Sequence, residues 1–278
     1  MLPDLLRTYG FFSWQLFQVA QRTLLCYFAS MKLSLAVIAL NEEDRLASCL
    51  DSVPFASEKV VVDSGSTDST ASVAEKCGAR VLKRKFTTFS EQKQFALDNC
   101  TGDWVLVLDA DEALSSELAL EIQKLVKKNS QIAYRLHRRV RYMGRLLKYG
   151  PWKGESVLRL FPGGSSEYDS SSVHERLVPS VPVVLVRNGW IEHRTYRSLS
   201  EQFETTGRYA SLWAEQKSAA GVRSSILKIA LRAKWRFFSA YFLQLGFLEG
   251  YSGFMASVMA AVSVFIKWSI LREKQCGR

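Results

Sequence analysis

The chain has 278 residues, of which 47% are hydrophobic, and a formal net charge of +10 at pH 7. This length and hydrophobic content allow one large or two small packed domains and argue against a disordered protein. Lys and Arg are concentrated in the second half, which predicts an anionic partner such as nucleic acid, phospholipid or a phosphorylated substrate.

The five cysteines are scattered along the chain without C-x-x-C spacing or neighbouring histidines. An odd number with no such pattern fits neither a disulfide framework nor a zinc site. We therefore expect a reduced, cytoplasmic compartment.

Residues 1–30 lack the features of a secretory signal, because residues 8–21 include three glutamines and no small-residue cleavage site follows. Their apolar residues follow helical spacing, which predicts an amphipathic helix that lies either on a membrane or on the domain. A third possibility is that translation begins at Met31, directly before the first strand. The sequence leaves these alternatives open.

Residues 104–108 are five consecutive apolar residues between Gly102 and an acidic cluster. Such a run predicts a strand that is buried on both faces, as a parallel α/β sheet requires. Similar runs at residues 34–40 and 59–62 alternate with helical patterns. The first hundred residues therefore predict a β-α-β alternation typical of a nucleotide-binding half-sheet.

Asp109, Asp111 and Glu112 follow the buried strand at its carboxyl end, which is the edge where open α/β sheets bind ligands. The three carboxylates repel one another, and a divalent cation that prefers oxygen ligands would make the arrangement favourable. We predict that Mg²⁺ or Mn²⁺ binds here and bridges a diphosphate. The alternative is that Asp109 or Asp111 only caps the helix predicted at residues 115–127.

Two glycine-rich phosphate signatures are absent, since no G-x-G-x-x-G follows the first strand and no G-x-x-x-x-G-K-[ST] occurs. This excludes the dinucleotide-binding and P-loop classes. A nucleotidyltransferase would need a glycine-rich loop where the chain has Leu40, Asn41 and Glu42. A non-enzymatic module that binds a membrane or nucleic acid would explain the positive charge without using the acids, but no RNA-binding signature occurs.

Residues 132–191 have the pattern of a mixed sheet that continues the first half and does not form a separate domain. Residues 132–142 alternate as a strand that is rich in arginine, and residues 157–161 form a strand that carries Arg159. Residues 183–186 and 190–191 are predicted to pair as a hairpin through Asn188 and Gly189.

The C-terminal region is predicted to be helical from Leu199 onward. Residues 228–236 carry four cations, and residues 250–266 form an uncharged run of 17 residues, the lower edge of a membrane span. Flanking aromatic residues and cations favour a helical hairpin at the headgroup level of an anionic membrane. An ordinary buried helix pair and true membrane insertion are the alternatives.

Three motifs, each at a predicted strand end, carry a family resemblance: Asn41-Glu42-Glu43, residues 63–68 and Asp109-Ala110-Asp111-Glu112. With them the chain resembles the family 2 glycosyltransferases of GT-A fold. The similarity extends from about Met31 to the late 260s, and it resembles the lipopolysaccharide core glucosyltransferase subgroup through further motifs: Gly150-Pro151-Trp152, Arg159-Leu160-Phe161, Val173-His174-Glu175, His193 and residues 246–250.

The resemblance implies a GT-A catalytic domain of the α/β class at residues 31–198. This domain lies between an amphipathic extension (1–30) outside the resemblance and a helical region (199–278) whose composition predicts membrane association. The resemblance has further implications for activity. It implies inverting transfer of a sugar, glucose above all, from a UDP-sugar to a lipopolysaccharide-core or other envelope glycolipid, with Mg²⁺ or Mn²⁺. The alternative acceptor is a polyprenyl phosphate. The cations and apolar residues of the C-terminal region predict peripheral attachment at the inner face of the cell membrane, and nucleic acid is not expected as a partner.

The resemblance also implies roles for residues. In the donor site Asp63 would accept a hydrogen bond from the base, Asn41 and Glu43 would line the nucleoside pocket, and Asp109 and Asp111 would hold ribose and metal. Acids in the acceptor half are few, and an inverting displacement needs a carboxylate base. The remaining candidates are Lys93 on the phosphate side, Arg159 as a phosphate-binding or ion-pairing residue, His193 as a further metal or diphosphate contact, Glu175 as the base and Asp169 as its runner-up. Many relatives have Lys-Asn where this chain has Lys93-Gln94.

Overall fold

The structure is a computed structural model that describes residues 31–169 and 176–277. The helix predicted within residues 1–30 and the predicted base Glu175 lie outside the described residues.

The described residues form twelve strands and seven α-helices. The strands are β1 (Leu33–Ala39), β2 (Glu58–Asp63), β3 (Arg80–Lys83), β4 (Trp104–Asp109), β5 (Glu112–Leu114), β6 (Ala133–Tyr142), β7 (Arg145–Leu146), β8 (Glu155–Pro162), β9 (Ser166–Tyr168), β10 (Leu177–Pro179), β11 (Val183–Leu185) and β12 (Ile191–His193). The helices are α1 (Leu46–Asp51), α2 (Thr70–Lys76), α3 (Phe89–Asp98), α4 (Ser116–Lys127), α5 (Leu199–Ala219), α6 (Ile226–Phe238) and α7 (Gly250–Gln275).

The main sheet has the order β3-β2-β1-β4-β8-β6-β12-β5, with β7 and β11 also paired to β6. The first four strands are parallel, and β8 runs antiparallel between β4 and β6. A parallel half-sheet, a mixed second half and C-terminal helices confirm the predicted α/β class and its GT-A arrangement.

The core lies on both faces of the parallel half-sheet, because side chains along each strand alternate between them. Trp104, Leu106 and Leu108 pack on the face covered by α1 and α4. Val105 and Val107 pack on the opposite face, which α3 covers. This confirms that the apolar run forms a strand buried on both sides.

The helix α4 is capped by Ser115, whose Oγ accepts a hydrogen bond from the backbone N–H of Leu118 at 3.3 Å. The alternative that Asp109 or Asp111 caps this helix is therefore wrong. A short strand, β5, separates the acidic cluster from the helix and frees these carboxylates from a capping role.

The predicted hairpin through Asn188 and Gly189 is wrong. Both β11 and β12 pair in parallel with β6, one after the other along the same edge. The reason is that Gly189 packs directly on the first turn of α4, where an added Cβ would lie 2.3 Å from the backbone nitrogen of Leu118. The segment crosses this helix end instead of reversing direction.

The C-terminal helices leave much apolar surface uncovered by the described residues. Ile229 is the buried residue of α6, so the alternative of an ordinary buried helix pair does not describe this helix. Within the described chain, the helical stretch Gly246–Gln275 is long and apolar enough to cross a membrane by length and composition, and 28% of its most apolar window is buried.

The start of the parallel sheet is held together by the carboxylate of Glu58. It accepts hydrogen bonds from Ser34 Oγ at 2.5 Å, from the N–H of Thr101 at 2.8 Å and from Arg80 Nη2 at 2.9 Å. Partial burial would raise the pKa of Glu58, but these hydrogen bonds outweigh it and lower the pKa to about 2. The carboxylate thus links β1, β3 and the loop before β4 to β2.

We expect Glu58→Gln to lower the free energy of unfolding by about 1–2 kcal/mol at pH 7, a figure reduced for solvent screening of a partly exposed group. Because the folded pKa lies below the ordinary value of 4.5, the contribution of Glu58 is fully present above that value and is lost as pH falls toward 2. Urea unfolding of wild type and variant at pH 7, 5 and 4 should show a difference that shrinks below pH 5. The exposed Glu75→Gln is the matched control, and a difference independent of pH would contradict the assignment.

Candidate active site

The carboxyl ends of three parallel strands meet at one edge of the sheet. In the register of the sheet, Ile38 of β1 lies opposite Asp109 of β4, and Ala39 lies opposite Asp63 of β2. The loops that carry the three sequence motifs therefore begin side by side.

Asn41 and Glu43 join the loop after β1 to the loop after β2. Asn41 has a φ of 57°, its N–H donates to Ser66 Oγ at 2.9 Å, and its Oδ1 accepts from the N–H of Thr67 at 2.9 Å. Glu43 Oε2 accepts from the N–H of Ser69 at 2.9 Å. Both side chains thus shape the two loops that would surround a nucleoside.

Asp63 is 3% exposed and is oriented by its own loop. Its Oδ1 accepts from the N–H of Ser66 at 3.1 Å and from Ser66 Oγ at 2.5 Å. Among the described residues, no hydrogen bond is made to its Oδ2. This oxygen is an acceptor that a ligand can use.

Glu112 is the centre of a buried ion network behind the motif loop. It is 1% exposed, and its Oε2 accepts from the N–H of Asp109 at 3.0 Å. Its Oε1 accepts from Arg138 Nη1 at 3.0 Å and from Arg159 Nη2 at 2.9 Å. One carboxylate therefore fixes both the backbone of the loop and two guanidinium groups.

Asp109 contacts a cation with each of its oxygens. Lys93 Nζ lies 2.8 Å from Oδ1, and Arg159 Nη2 donates to Oδ2 at 2.6 Å. Burial would raise the pKa of Asp109, but the charges of Arg159 and Lys93 outweigh it and hold this pKa well below its usual range. Asp109 is therefore ionised and already neutralised by side chains.

Asp111 lies beyond this network and contacts His193. Its Oδ2 is 3.1 Å from His193 Nε2 and 3.9 Å from Arg45 Nη1, while Thr195 Oγ1 is 3.3 Å from His193 Nδ1. Burial alone would lower the pKa of His193, but the hydrogen bond and charge of Asp111 outweigh it and raise this pKa. The structure thus brings together two of the three predicted metal ligands.

Asp111 and His193 are the predicted ligands that would remain for a divalent cation. Within the described residues, no group of three or more His, Cys, Asp or Glu side chains could do so alone. Mg²⁺, however, is commonly held by one or two carboxylates together with substrate phosphates and waters. Since both oxygens of Asp109 contact cations, the arrangement favours Asp111 over Asp109 as the protein ligand.

Next to Asp109 lies an open cleft of about 990 Å³, whose lining includes Lys93, Arg159 and Asp169. The backbone N–H of Asp169 donates to the carbonyl of Arg176 at 2.8 Å. Gln94, the departure from the Lys-Asn pattern, has a local role, because its Oε1 accepts from the N–H of Tyr168 at 2.8 Å and ties β9 to α3.

The structure shows two site residues that the sequence analysis did not single out. Glu112 was one member of an acidic cluster, and its full burial was the missing fact. Arg138 was one of four arginines on a single strand, and its spacing did not distinguish it from Arg135, Arg139 or Arg141. Arg159 was predicted to bind phosphate or to form an ion pair, and here its Nη2 pairs with Asp109 and Glu112.

Comparisons with known proteins identify the family to which this chain belongs. A sequence profile described as Glycosyl transferase family 2 matches residues 34–170. The chain is 33% identical to the lipopolysaccharide core biosynthesis glycosyltransferase LpsC of Rhizobium meliloti, over 85% of this chain and 90% of that protein. It is 30% identical to an uncharacterized glycosyltransferase of Rickettsia typhi over 87% of each chain.

Among solved structures, the chain is similar to glucosyl-3-phosphoglycerate synthase from Mycobacterium tuberculosis in a complex with Mn²⁺, uridine diphosphate and glucosyl-3-phosphoglycerate. The sequence identity is 20% and the TM-score is 0.42. The match covers 72% of this chain and 84% of that one. Another complex of that synthase matches over 46% of its own length. These likenesses are too remote to support residue-level inference. The profile and the two relatives suffice: this chain belongs to the family 2 glycosyltransferases.

Proposed function

We propose that this protein is an inverting glycosyltransferase that moves a sugar, glucose in the first instance, from a UDP-sugar to a glycolipid acceptor of the lipopolysaccharide core. The observation that carries the proposal is the meeting of three strand ends, which brings Asn41, Asp63 and Asp111 to one edge of the sheet. The acceptor class is supported by the similarity to LpsC, whose name assigns it to lipopolysaccharide core biosynthesis.

The donor would bind across this edge, with its base at Asp63 and its diphosphate at Asp111. The Oδ2 of Asp63, to which none of the described residues donates a hydrogen bond, suits the N3–H donor of uracil. Asp111 and His193 would hold Mg²⁺ or Mn²⁺, which when bound neutralises charge on the diphosphate leaving group. Lys93 and Arg159 keep Asp109 ionised and fixed. Asp109 would therefore position the loop and accept a hydrogen bond from the ribose.

We expect Asp111→Asn to lower metal-dependent turnover of UDP-glucose by about a hundredfold or more, because one oxygen ligand of the cation is lost. The assay is release of UDP across a Mn²⁺ titration, with and without acceptor, and thermal unfolding checks the fold. Asp51→Asn, an exposed substitution on α1, is the matched control. Near-normal turnover in Asp111→Asn would exclude this metal site.

The catalytic base would come from the acceptor half, because a single inverting displacement needs a carboxylate to take the proton of the acceptor hydroxyl. Glu175 is our candidate, on the Val-His-Glu motif. Asp169 is the runner-up, and its position in the cleft beside Asp109 supports it.

Glu175→Gln should lower kcat by about a hundredfold or more with little change in UDP-sugar affinity, since a base acts in the transition state and barely contacts the donor. The rate is measured as release of UDP, and calorimetry measures the affinity for the UDP-sugar. Both measurements are made on Glu175→Gln, on Asp169→Asn and on the control Glu167→Gln, an exposed residue of β9. A normal kcat in Glu175→Gln together with a large loss in Asp169→Asn would move the role to Asp169. Lost donor binding in Glu175→Gln would make Glu175 a structural residue.

A membrane surface is the partner we propose for α6 and the turn after it. Leu227, Leu231 and Trp235 are 68%, 57% and 61% exposed, and further large apolar side chains continue the surface to Phe254. Four cations are interspersed on the same helix: Lys228, Arg232, Lys234 and Arg236. Apolar area combined with cations is the composition of interfacial helices that bind anionic lipid.

The cations and exposed apolar side chains of α6 support peripheral attachment at the cytoplasmic face of the membrane, where a glycolipid acceptor would be accessible.

The double substitution Leu227→Ser and Trp235→Ser should reduce flotation with anionic liposomes severalfold, because both wild-type side chains would leave water on binding. Raised salt should weaken binding of the wild type, since each surface cation contributes about 1 kcal/mol that is screened. The control is Leu120→Ser on α4, whose side chain is 59% exposed on another face. Unchanged flotation of the double variant, or concentration-dependent self-association without liposomes, would assign this surface to another occupant.

A further inference from the structure

A second cavity, of about 350 Å³, lies on the far side of the Arg138–Glu155 ion pair from the cleft that contains Asp109. Both members of the ion pair line both cavities. The side chains that give the second cavity its chemistry are Arg138, Trp152, Glu155, His193, Thr195 and Tyr196. The proposed function assigns no role to the aromatic residues of this cavity.

The aromatic wall of this cavity is held from behind. The ring of Trp152 packs edge-to-face on Tyr142 at 4.8 Å and lies 6.2 Å from the ring of Tyr196. Tyr142 is fixed in turn, because its hydroxyl donates to Gln202 Oε1 at 2.7 Å. Trp152 and Tyr196 remain partly exposed, so each presents apolar ring surface to the cavity.

The loop that carries Trp152 is positioned by glycine at both ends. Gly150 has a φ of +85°, and its N–H donates to the carbonyl of Gln244 at 2.8 Å. Gly154 has a φ of +103°, and an added Cβ would lie 2.2 Å from the carbonyl oxygen of Arg138. The loop therefore packs on β6 at a distance that only glycine allows.

A buried carboxylate fixes the approach to the same loop. Glu249, which is 2% exposed, accepts from the N–H of Lys148 at 2.7 Å, from the N–H of Tyr149 at 3.0 Å and from Arg145 Nε at 2.6 Å. A loop held by this many backbone contacts is preorganised, and preorganisation lowers the cost of binding a ligand.

We propose that this cavity is the subsite for the acceptor sugar ring that receives the transferred sugar, an inference that rests on the proposed function. A pyranose has apolar C–H faces and a rim of hydroxyls, and it needs an apolar surface together with a few donors and acceptors. Trp152 and Tyr196 supply the surface, while Arg138, Glu155 and Thr195 supply the polar groups.

The position of the cavity supports this assignment. His193 lines it and contacts Asp111, so a ring bound there lies beside the proposed diphosphate end of the donor. Its volume is at the lower end of the range of about 300–1,000 Å³ typical of small-molecule pockets, which suits one sugar ring better than an extended chain.

The test compares two replacements of Trp152 that differ in whether a ring remains. Trp152→Phe keeps an aromatic face, whereas Trp152→Leu keeps apolar volume against Tyr142 without one. Tyr149→Leu is the matched control, because its side chain is 40% exposed directly before this loop and does not line the cavity. The acceptor probe is the oligosaccharide freed by mild acid from a lipopolysaccharide truncated to its inner core.

We expect Trp152→Leu to raise the acceptor KM about tenfold or more, with Trp152→Phe and the control within about threefold of wild type. Calorimetry should give unchanged UDP affinity in all three, and saturation-transfer NMR should show loss of direct oligosaccharide binding in Trp152→Leu alone. Thermal unfolding checks that each variant is folded. If Trp152→Leu is not folded, Tyr196→Leu carries the test with the same expected rise in acceptor KM, and an unchanged acceptor KM in that variant would count against the proposal.

An unchanged acceptor KM in Trp152→Leu would overturn this inference while leaving the proposed function intact. Loss of UDP affinity in that variant would also overturn it, because the cavity would then hold the base of the donor. Failure of the wild type to release UDP from any UDP-sugar is the separate result that would overturn the proposed function itself.

Discussion

The site depends on one constraint, which is that the buried carboxylate of Glu112 must be paired. A charge with almost no exposure is tolerated only with compensating partners, and removing one partner of a buried pair typically costs about 3–5 kcal/mol. Glu112 meets this need with Arg138, Arg159 and the backbone N–H of Asp109. The same contacts fix the motif loop, so that Asp109 faces Lys93 and Arg159 while Asp111 extends toward His193.

This ion network also lies between the two cavities of the site. Arg138 pairs with Glu112 on one side and with Glu155 on the other, and both members of the second pair line two cavities. A donor bound at the strand ends and an acceptor ring bound beside Trp152 would therefore approach each other near Asp111. Inverting transfer needs such an arrangement, because donor and acceptor must meet in one displacement.

Hydrogen bonds connect the segment between α6 and α7 to the loop that forms the proposed acceptor cavity. Glu249, the residue directly before α7, holds the backbone that leads into the Trp152 loop, and Gly150 is bonded to Gln244 in the turn after α6. A surface suited to lipid and a cavity suited to a sugar ring thus share one set of contacts. For an enzyme whose acceptor is a glycolipid, this would align the membrane surface with the reacting end of the acceptor.

The sequence alone determined the parallel half-sheet, the positions of the motif acids at strand ends and the start of α4 at residues 115–116, because apolar runs, periodicity and capping chemistry act over short distances along the chain. Only the tertiary structure decided that β11 and β12 both follow β6, since the packing of Gly189 on α4 joins segments about 70 residues apart. It alone showed that Glu112 organises the site and that Trp152 lies near His193. Burial and ion pairing depend on which distant segments pack together, and no local pattern records that.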